Sequence, residues 1–341
     1  MNRFLDLSLE ERNAYFRVAS DRLKLLTLIV EKDFWVCWTL DRIFSLPDAA
    51  SRYVFKGGTS LSKVFGIIDR FSEDIDLGVT PAELGWKESD LDEAPSPNQR
   101  RKRMKELESK CAEWLDQTFR PALEQEMRSH LPFEIVGENW LRFEMDAKTN
   151  SPVLNFMYPS AFAHEAGYIA PLVKLEFGSL TDQQPRGPHT IKPLLAEAVD
   201  EPFSEFRSNV IALEVERTFW EKATILHSQY HRPDHLPIRD RYARHYSDFA
   251  ALWRHPSRKS ALARIDLLER VALHKSRFFG SSWTNYETAK PGQLKLVPKA
   301  TRMEALESDY AKMELMFAAK PPPFSLVIEN IAEAERMING K

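Results

Sequence analysis

Apolar residues recur at intervals of three and four near the start of the chain: Leu26, Val30, Phe34, Cys37, Leu40 and Ile43 form one stripe, the mark of a helix with a buried face. Ser8 with Glu11 predicts a capping box at the start of the helix before it. The period then changes. Tyr53 to Lys56 reads as a first strand backed by the striped helix, and Thr59 to Ile68 as a short helix. Ile75, Leu77 and Val79 alternate with Asp74 and Asp76, so on a strand the two carboxylates face one way while the apolar set packs behind. Pro81 and the polar run to Asn98 predict a loop, and Gln99 to Met127 a long helix that opens with Arg100, Arg101, Lys102 and Arg103, read as a solvated face in preference to a polyanion contact. Phe133 to Val136, Leu141 to Met145, Val153 to Met157 and Pro171 to Phe177 are short apolar or alternating runs bounded by Pro, Gly and Asn, and are expected to be strands. From Val210 onward the pattern turns helical. The expectation is therefore an α+β domain over residues 1–205 with a mixed sheet, followed by an all-α domain over 206–341 that begins near Phe203.

Composition sharpens this picture only in places. With 341 residues and 43% hydrophobic content the chain can bury a full core. Lys and Arg total 47 against 50 Asp and Glu, and the net charge of -3 excludes a global polycation, so any contact with nucleic acid has to come from a local patch. Cys37 and Cys111 lack metal-ligand spacing and are expected to be reduced core residues of a cytoplasmic protein. The polar N-terminus does not read as a signal peptide, Leu25 to Val30 is too short to span a bilayer, and no period of a solenoid or propeller recurs.

The candidate chemistry lies between residues 56 and 76. Two carboxylates on one strand face repel and call for a cation between them; Mg²⁺, a hard ion with oxygen ligands at roughly 2.0 to 2.1 Å and usually shared with substrate phosphates, suits them. Gly57 and Gly58, just before a helix, allow a phosphate to approach the backbone. Either feature alone is usually a solvated edge or a turn; together they describe a nucleotide held beside a metal, the arrangement needed for nucleotidyl transfer. In the strand near 175, Lys174 and Glu176 share a face as Asp74 and Asp76 do, which makes Glu176 the candidate third carboxylate, against the plain reading of a surface Lys/Glu pair. Lys222 flanks the apolar stripe Val215, Phe219, Ala223 and Leu226, where an ammonium emerges at the edge of a packed face. His227, His231 and His235 have tempting spacing, but Pro233 interrupts them and no His-Glu-x-x-His is present, so they read as a polar loop.

Glu31-Lys32-Asp33-Phe34, Lys56-Gly57-Gly58-Thr59-Ser60, Arg70-Phe71-Ser72-Glu73-Asp74-Ile75-Asp76, Lys174-Leu175-Glu176 and Glu216 to Lys222 occur in the order seen in the AbiEii/AbiGii-type nucleotidyltransferase toxins. Arg244 to Phe249, His274 to Phe279, Lys290-Pro291-Gly292 and Leu306 to Tyr310 continue the match, so the chain resembles that family over nearly its whole length. The resemblance implies a polymerase-β-like nucleotidyltransferase core and a helical C-terminal domain. It also implies a toxin of a bacterial toxin-antitoxin or abortive-infection module, with a winged-helix antitoxin as partner and the acceptor end of tRNA as target. Carried over by residue, the family's motifs fall on Gly57, Gly58, Ser60, Asp74 and Asp76, on Lys174 and Glu176, on Glu221 and Lys222, and on Asp248. One departure is the spacing of fifteen residues between Gly58 and Asp74, longer than in many polymerase-β-like enzymes.

The expected reaction is in-line attack of an RNA hydroxyl on the α-phosphate of an NTP with two Mg²⁺ ions, Mn²⁺ being an alternative. Asp74, Asp76 and Glu176 are the expected metal ligands, with Lys222 and Asp248 completing the catalytic set. Thr59, Ser60, Lys63, Ser72, Lys174 and Glu221 join Gly57 and Gly58 as nucleotide-binding candidates, Lys63 and Lys222 to offset phosphate charge. Asp248 is expected to position Lys222 or the incoming hydroxyl, or to pair with Arg244. Transfer to a small hydroxylated molecule, as in antibiotic-modifying enzymes, is the near alternative. A HEPN-like metal-independent ribonuclease using Arg239 and His245 is a more distant one.

Overall fold

The computed structural model describes residues 1–340 except 88–89, 91–95, 132–138, 148, 150, 161, 163–169, 200–202, 204–205 and 318. The strand expected at Phe133 to Val136 lies outside the described residues. The chain divides into two compact units, one made of Met1–Val64 and Ser72–Ala212, the other of Phe65–Phe71 and Leu213–Lys341.

The first unit is built on a seven-stranded mixed sheet: β1 Tyr53–Lys56, β2 Ile75–Val79, β3 Leu141–Met145, β4 Pro152–Phe156, β5 Val173–Gly178, β6 Arg186–Ile191 and β7 Ser208–Leu213, in the order β3-β4-β5-β2-β1-β7-β6. The centre of the sheet mixes directions, because β2 runs antiparallel to β1 and parallel to β5. Alternation sets the faces: Val173, Leu175 and Phe177 are buried while Lys174, Glu176 and Gly178 are partly open.

Helix α1, Leu9–Leu23, starts at the predicted capping box, with the Ser8 side chain accepting from the Glu11 backbone and the Glu11 side chain accepting from Ser8. Helix α2, Thr27–Ser45, is buried along almost its whole length, beyond the single stripe the sequence shows. It packs against β5, α1 and the short helix Leu194–Ala198 together. Aromatic rings fill the gaps, Phe34 against Phe4 and Trp35 against Phe156 and Tyr158. Helix α3 spans Gly57–Lys63, so the predicted helix over 59–68 is corrected at both ends: the glycines form its first turn, and Phe65 already belongs to the second unit. Helix α4, Pro97–Trp114, continues through a π-turn, Leu115–Phe119, into Arg120–Arg128. Pro121, which has no N–H to donate, accounts for that loosened turn.

In the second unit the described regular elements are helical, joined by a single β-bridge between Arg70 and Phe317. Its principal helices are α5 Val215–His231, α6 Ala243–Arg254, α7 Ile265–Phe278 and α8 Phe324–Ile338. Phe219 packs on Phe249, and the Trp220 indole N–H donates to the Ala261 carbonyl. Strands do not end at Val210 as predicted, since β7 runs to Leu213 beside β1; the expected boundary at 205/206 falls ahead of that strand. Cys37 and Cys111 are free and buried. Among the described residues no helix is long and apolar enough to cross a membrane.

Candidate functional site

Asp76 sits at the centre of the sheet, opposite Lys56 of β1 and opposite Glu176 of β5, so the three side chains leave one face of three neighbouring strands. Asp74 lies just ahead of β2, and its carbonyl accepts from Thr59 Oγ1 at 2.5 Å. Its carboxyl is pushed up to about 6, first by burial and then by the charges of Asp76, Glu73 and Glu176, with Lys174 opposing. Such mutual repulsion is what a divalent cation relieves.

Gly57 adopts φ +83°, and a Cβ placed there would lie 2.0 Å from Asp76 Oδ2. Only glycine lets the turn close on that carboxylate. The glycine turn and the Asp-x-Asp strand are therefore in direct contact, although the chain between them makes an excursion through 65–71.

The remaining candidates of this unit separate into those that face the carboxylates and those that brace them. Lys174 Nζ donates to Asp146 at 2.6 Å and to Glu176 Oε1 at 2.7 Å; burial works against the ammonium, but these two carboxylates raise it above the usual lysine value. Glu176 is thus shared with Lys174, and among the described residues no three His, Cys, Asp or Glu side chains converge to hold a metal alone. Asp74 and Asp76, with Glu176 beside Asp76 on the same sheet face, are hard oxygen donors of the kind a divalent cation takes, and substrate oxygens can complete its shell. Thr59 and Ser60 are buried, the Thr59 hydroxyl also hydrogen-bonded to Ser72 Oγ at 3.0 Å and Ser60 donating to the Gly57 carbonyl. Their hydroxyls tie the turn together. Lys63, expected to reach a phosphate, instead enters the core and pairs with Asp33 at 2.9 Å, both side chains almost fully buried. The local pattern showed a lysine one turn from the glycines but not the acid waiting for it.

In the second unit Asp248 has no exposed surface and is gripped from two sides. Arg70 Nε donates to Oδ1 at 2.7 Å and Nη2 to Oδ2 at 2.9 Å, while Lys222 Nζ donates to Oδ2 at 2.7 Å. Burial alone would raise this carboxyl; Arg70 and Lys222 overcome it and hold Asp248 well below the usual carboxylate range. Of the expected roles, positioning Lys222 agrees with these contacts, and the arginine partner is Arg70 where Arg244 was expected. Burial lowers the Lys222 ammonium while Asp248 pulls it back up. Glu221 accepts from Arg217 at 3.1 Å.

His245, the acid or base of the ribonuclease alternative, is pushed well below its ordinary value by burial and then by Lys222 and Arg244. His227 and His231 are the last turns of α5, not a loop as predicted, and His227 is buried with Nδ1 accepting from the Lys295 backbone. A cavity of about 650 Å³ in the same unit, bordered by Ile67, Arg70, Ser247, Arg254 and Phe317, takes in none of the sequence-predicted site residues.

Sequence reasoning missed four polar residues of these two clusters: Lys56, which shares the face of Asp76; Lys32 and Glu73, an ion pair beside Asp74; and Arg70. All four stand inside motifs quoted above, but their burial and partners are tertiary facts.

A family model described as "Nucleotidyl transferase AbiEii toxin, Type IV TA system" matches residues 38–333. Among solved structures the chain is similar to MenT4, a nucleotidyltransferase toxin from Mycobacterium tuberculosis H37Rv, with 11% sequence identity and a TM-score of 0.35, over 87% of this chain and 98% of that one. No curated protein matches.

Proposed function

The chain belongs to the AbiEii family of nucleotidyltransferase toxins, and we propose that it moves a nucleoside monophosphate from an NTP to the 3′ end of a tRNA, using Mg²⁺, and thereby blocks translation. The observation that carries this reading is the Asp76 carboxylate pressed against the Gly57 turn, with Asp74 raised to about 6 beside it. Hard oxygen donors that repel one another next to a backbone able to take a phosphate are a donor set suited to a magnesium nucleotide.

Asp74 and Asp76 would hold the cation. When bound, it supplies charge neutralisation on the phosphates and lowers the pKa of the attacking hydroxyl. Glu176, paired with Lys174 in the metal-free site, is proposed as the third carboxylate toward a second ion, with substrate oxygens completing both shells. Gly57 leaves the room that a side chain would fill. Lys174 fixes the Glu176 carboxylate and keeps the sheet face from being wholly anionic. In the second unit Asp248 orients Lys222, whose ammonium is proposed to offset charge on the phosphates. Membership of a type IV toxin-antitoxin family implies a cognate antitoxin, and a winged-helix protein encoded beside the toxin is proposed for that role.

The test is incubation with total tRNA, Mg²⁺ and each α-labelled NTP in turn. Label in tRNA with one or more NTPs is expected. Label in no RNA with any NTP would overturn the tRNA assignment and move weight to a small hydroxylated acceptor.

A further inference from the structure

Three consecutive residues in the middle of α2, Glu31, Lys32 and Asp33, are charged and almost fully buried. Neighbours on a helix point about 100° apart, so Lys32 and Asp33 reach different parts of the first unit. Lys32 Nζ donates to Glu73 Oε2 at 2.6 Å and to the Ala170 carbonyl at 2.9 Å. Glu73 immediately precedes Asp74. Asp33 accepts from Lys63 at the end of α3 and, through Oδ2, from the Leu194 backbone N–H at 2.6 Å. The loop of contacts closes through Thr59, which sits in α3, donates to the Asp74 carbonyl and is hydrogen-bonded to the Ser72 hydroxyl. Starting from α2, one can pass through Lys32 to Glu73 and Asp74, through Thr59 into α3, and through Lys63 and Asp33 back to α2.

We propose that Lys32 and Asp33 are positioning residues for nucleotidyl transfer, two struts from one helix that hold the Asp74 segment and the glycine-turn helix in a fixed relation. The inference rests on the reaction proposed above. Buried ion pairs are poor devices for stability, since apolar side chains of similar volume often do as well or better. Two of them side by side, each ending on a segment that carries the site, are explained by geometry. β2 does not begin until Ile75 and α3 has only two turns, so neither segment is long enough to fix Asp74 by its own backbone ladder. Lys32 also brings a positive charge to Glu73, which otherwise adds to the repulsion on Asp74.

The experiment compares Lys32→Met, Lys32→Arg and the double variant Lys32→Met/Glu73→Gln, which leaves no buried charge without its partner. Three readouts are taken on each folded protein: kcat and KM for transfer, Mn²⁺ affinity by calorimetry, and hydrogen exchange of the 72–76 segment. Lys32→Met is expected to lower kcat and Mn²⁺ affinity by about 10- to 100-fold, the range for residues that orient metal ligands from behind, and to speed exchange at 72–76. Lys32→Arg should recover most of the kcat. The double variant should stay as slow as Lys32→Met while regaining thermal stability, which separates positioning from mere folding. Wild-type kcat and Mn²⁺ affinity in a folded Lys32→Met protein, or full recovery of kcat in the double variant, would overturn the proposal while leaving the reaction intact. Absence of transfer by the wild type would instead remove the reaction.

Discussion

At the scale of single residues, the site is a place where the protein gives up stability. Asp74 is charged at neutral pH although burial and three neighbouring carboxylates disfavour it. Its folded value of about 6 lies above the ordinary 3.8, so the folded state binds more protons between those values and stability rises as pH falls from 6 towards 3.8. Asp74→Asn removes the charge while keeping the shape. In metal-free protein at pH 7 it should raise the melting temperature, by a stabilisation on the order of 3 kcal/mol, and should abolish activity; a lower melting temperature at pH 7 would contradict the repulsion. Asp76 and the apolar set Ile75, Leu77 and Val79 were legible because a period of two on a strand fixes which side chains share a face, whereas Asp74, expected on the same strand, lies just ahead of it. Lys63 was not read correctly, because Asp33 stands thirty residues away in sequence and only the fold brings them together.

At the scale of elements, α5 and α6 are joined by charge inside the helical unit. Asp248 is shared by Arg70 and Lys222, and its removal takes the carboxylate away from both buried cations. Asp248→Ala should therefore cost about 3 to 5 kcal/mol, the range for breaking a buried pair from one side, read as a lower midpoint in urea unfolding. The end of α5 carries a second sensitivity. His227 Nδ1 accepts from the Lys295 N–H while Nε2 faces the Asn285 carbonyl, which requires the neutral ring. Burial lowers its value to about 4 from 6.5. Between those two values only the unfolded chain takes up the proton, so stability falls as pH drops from 6.5 to 4 and levels off below. His227→Gln should flatten that part of a plot of melting temperature against pH; an unchanged slope would assign it to other groups. The helices themselves were legible from period and caps, α1 down to its capping box. The extent of burial of α2 was not, since the sequence shows a single apolar stripe while Glu31, Lys32 and Asp33 beside it are buried as well. Strands β6 and β7 were missed for a related reason: Arg186 to Ile191 is a mostly half-buried edge strand whose residues carry little apolar alternation, and β7 leads directly into a helix.

At the scale of the whole molecule, the expected order of an α+β part followed by a helical part is present, with one exchange. Phe65–Phe71 leaves the first unit between the glycine turn and the Asp-x-Asp strand and joins the second, where Arg70 meets Asp248. The long spacing from Gly58 to Asp74 has this physical meaning: part of it is an anchor in another unit, and no local pattern announces that. A chelator test belongs at this scale. EDTA should stop label transfer to tRNA and leave the tRNA uncut, whereas RNA cleavage in EDTA would restore the Arg239/His245 reading. The most direct measurement of the central claim is the rate of α-labelled nucleotide transfer by Asp76→Asn beside wild type, both shown to be folded, at saturating Mg²⁺ and NTP. A loss of at least about 10² to 10³ in kcat is predicted, the scale of removing one key electrostatic group from a reaction centre. A rate equal to wild type would contradict the account, because the carboxylate held against the Gly57 turn would then have no part in the chemistry.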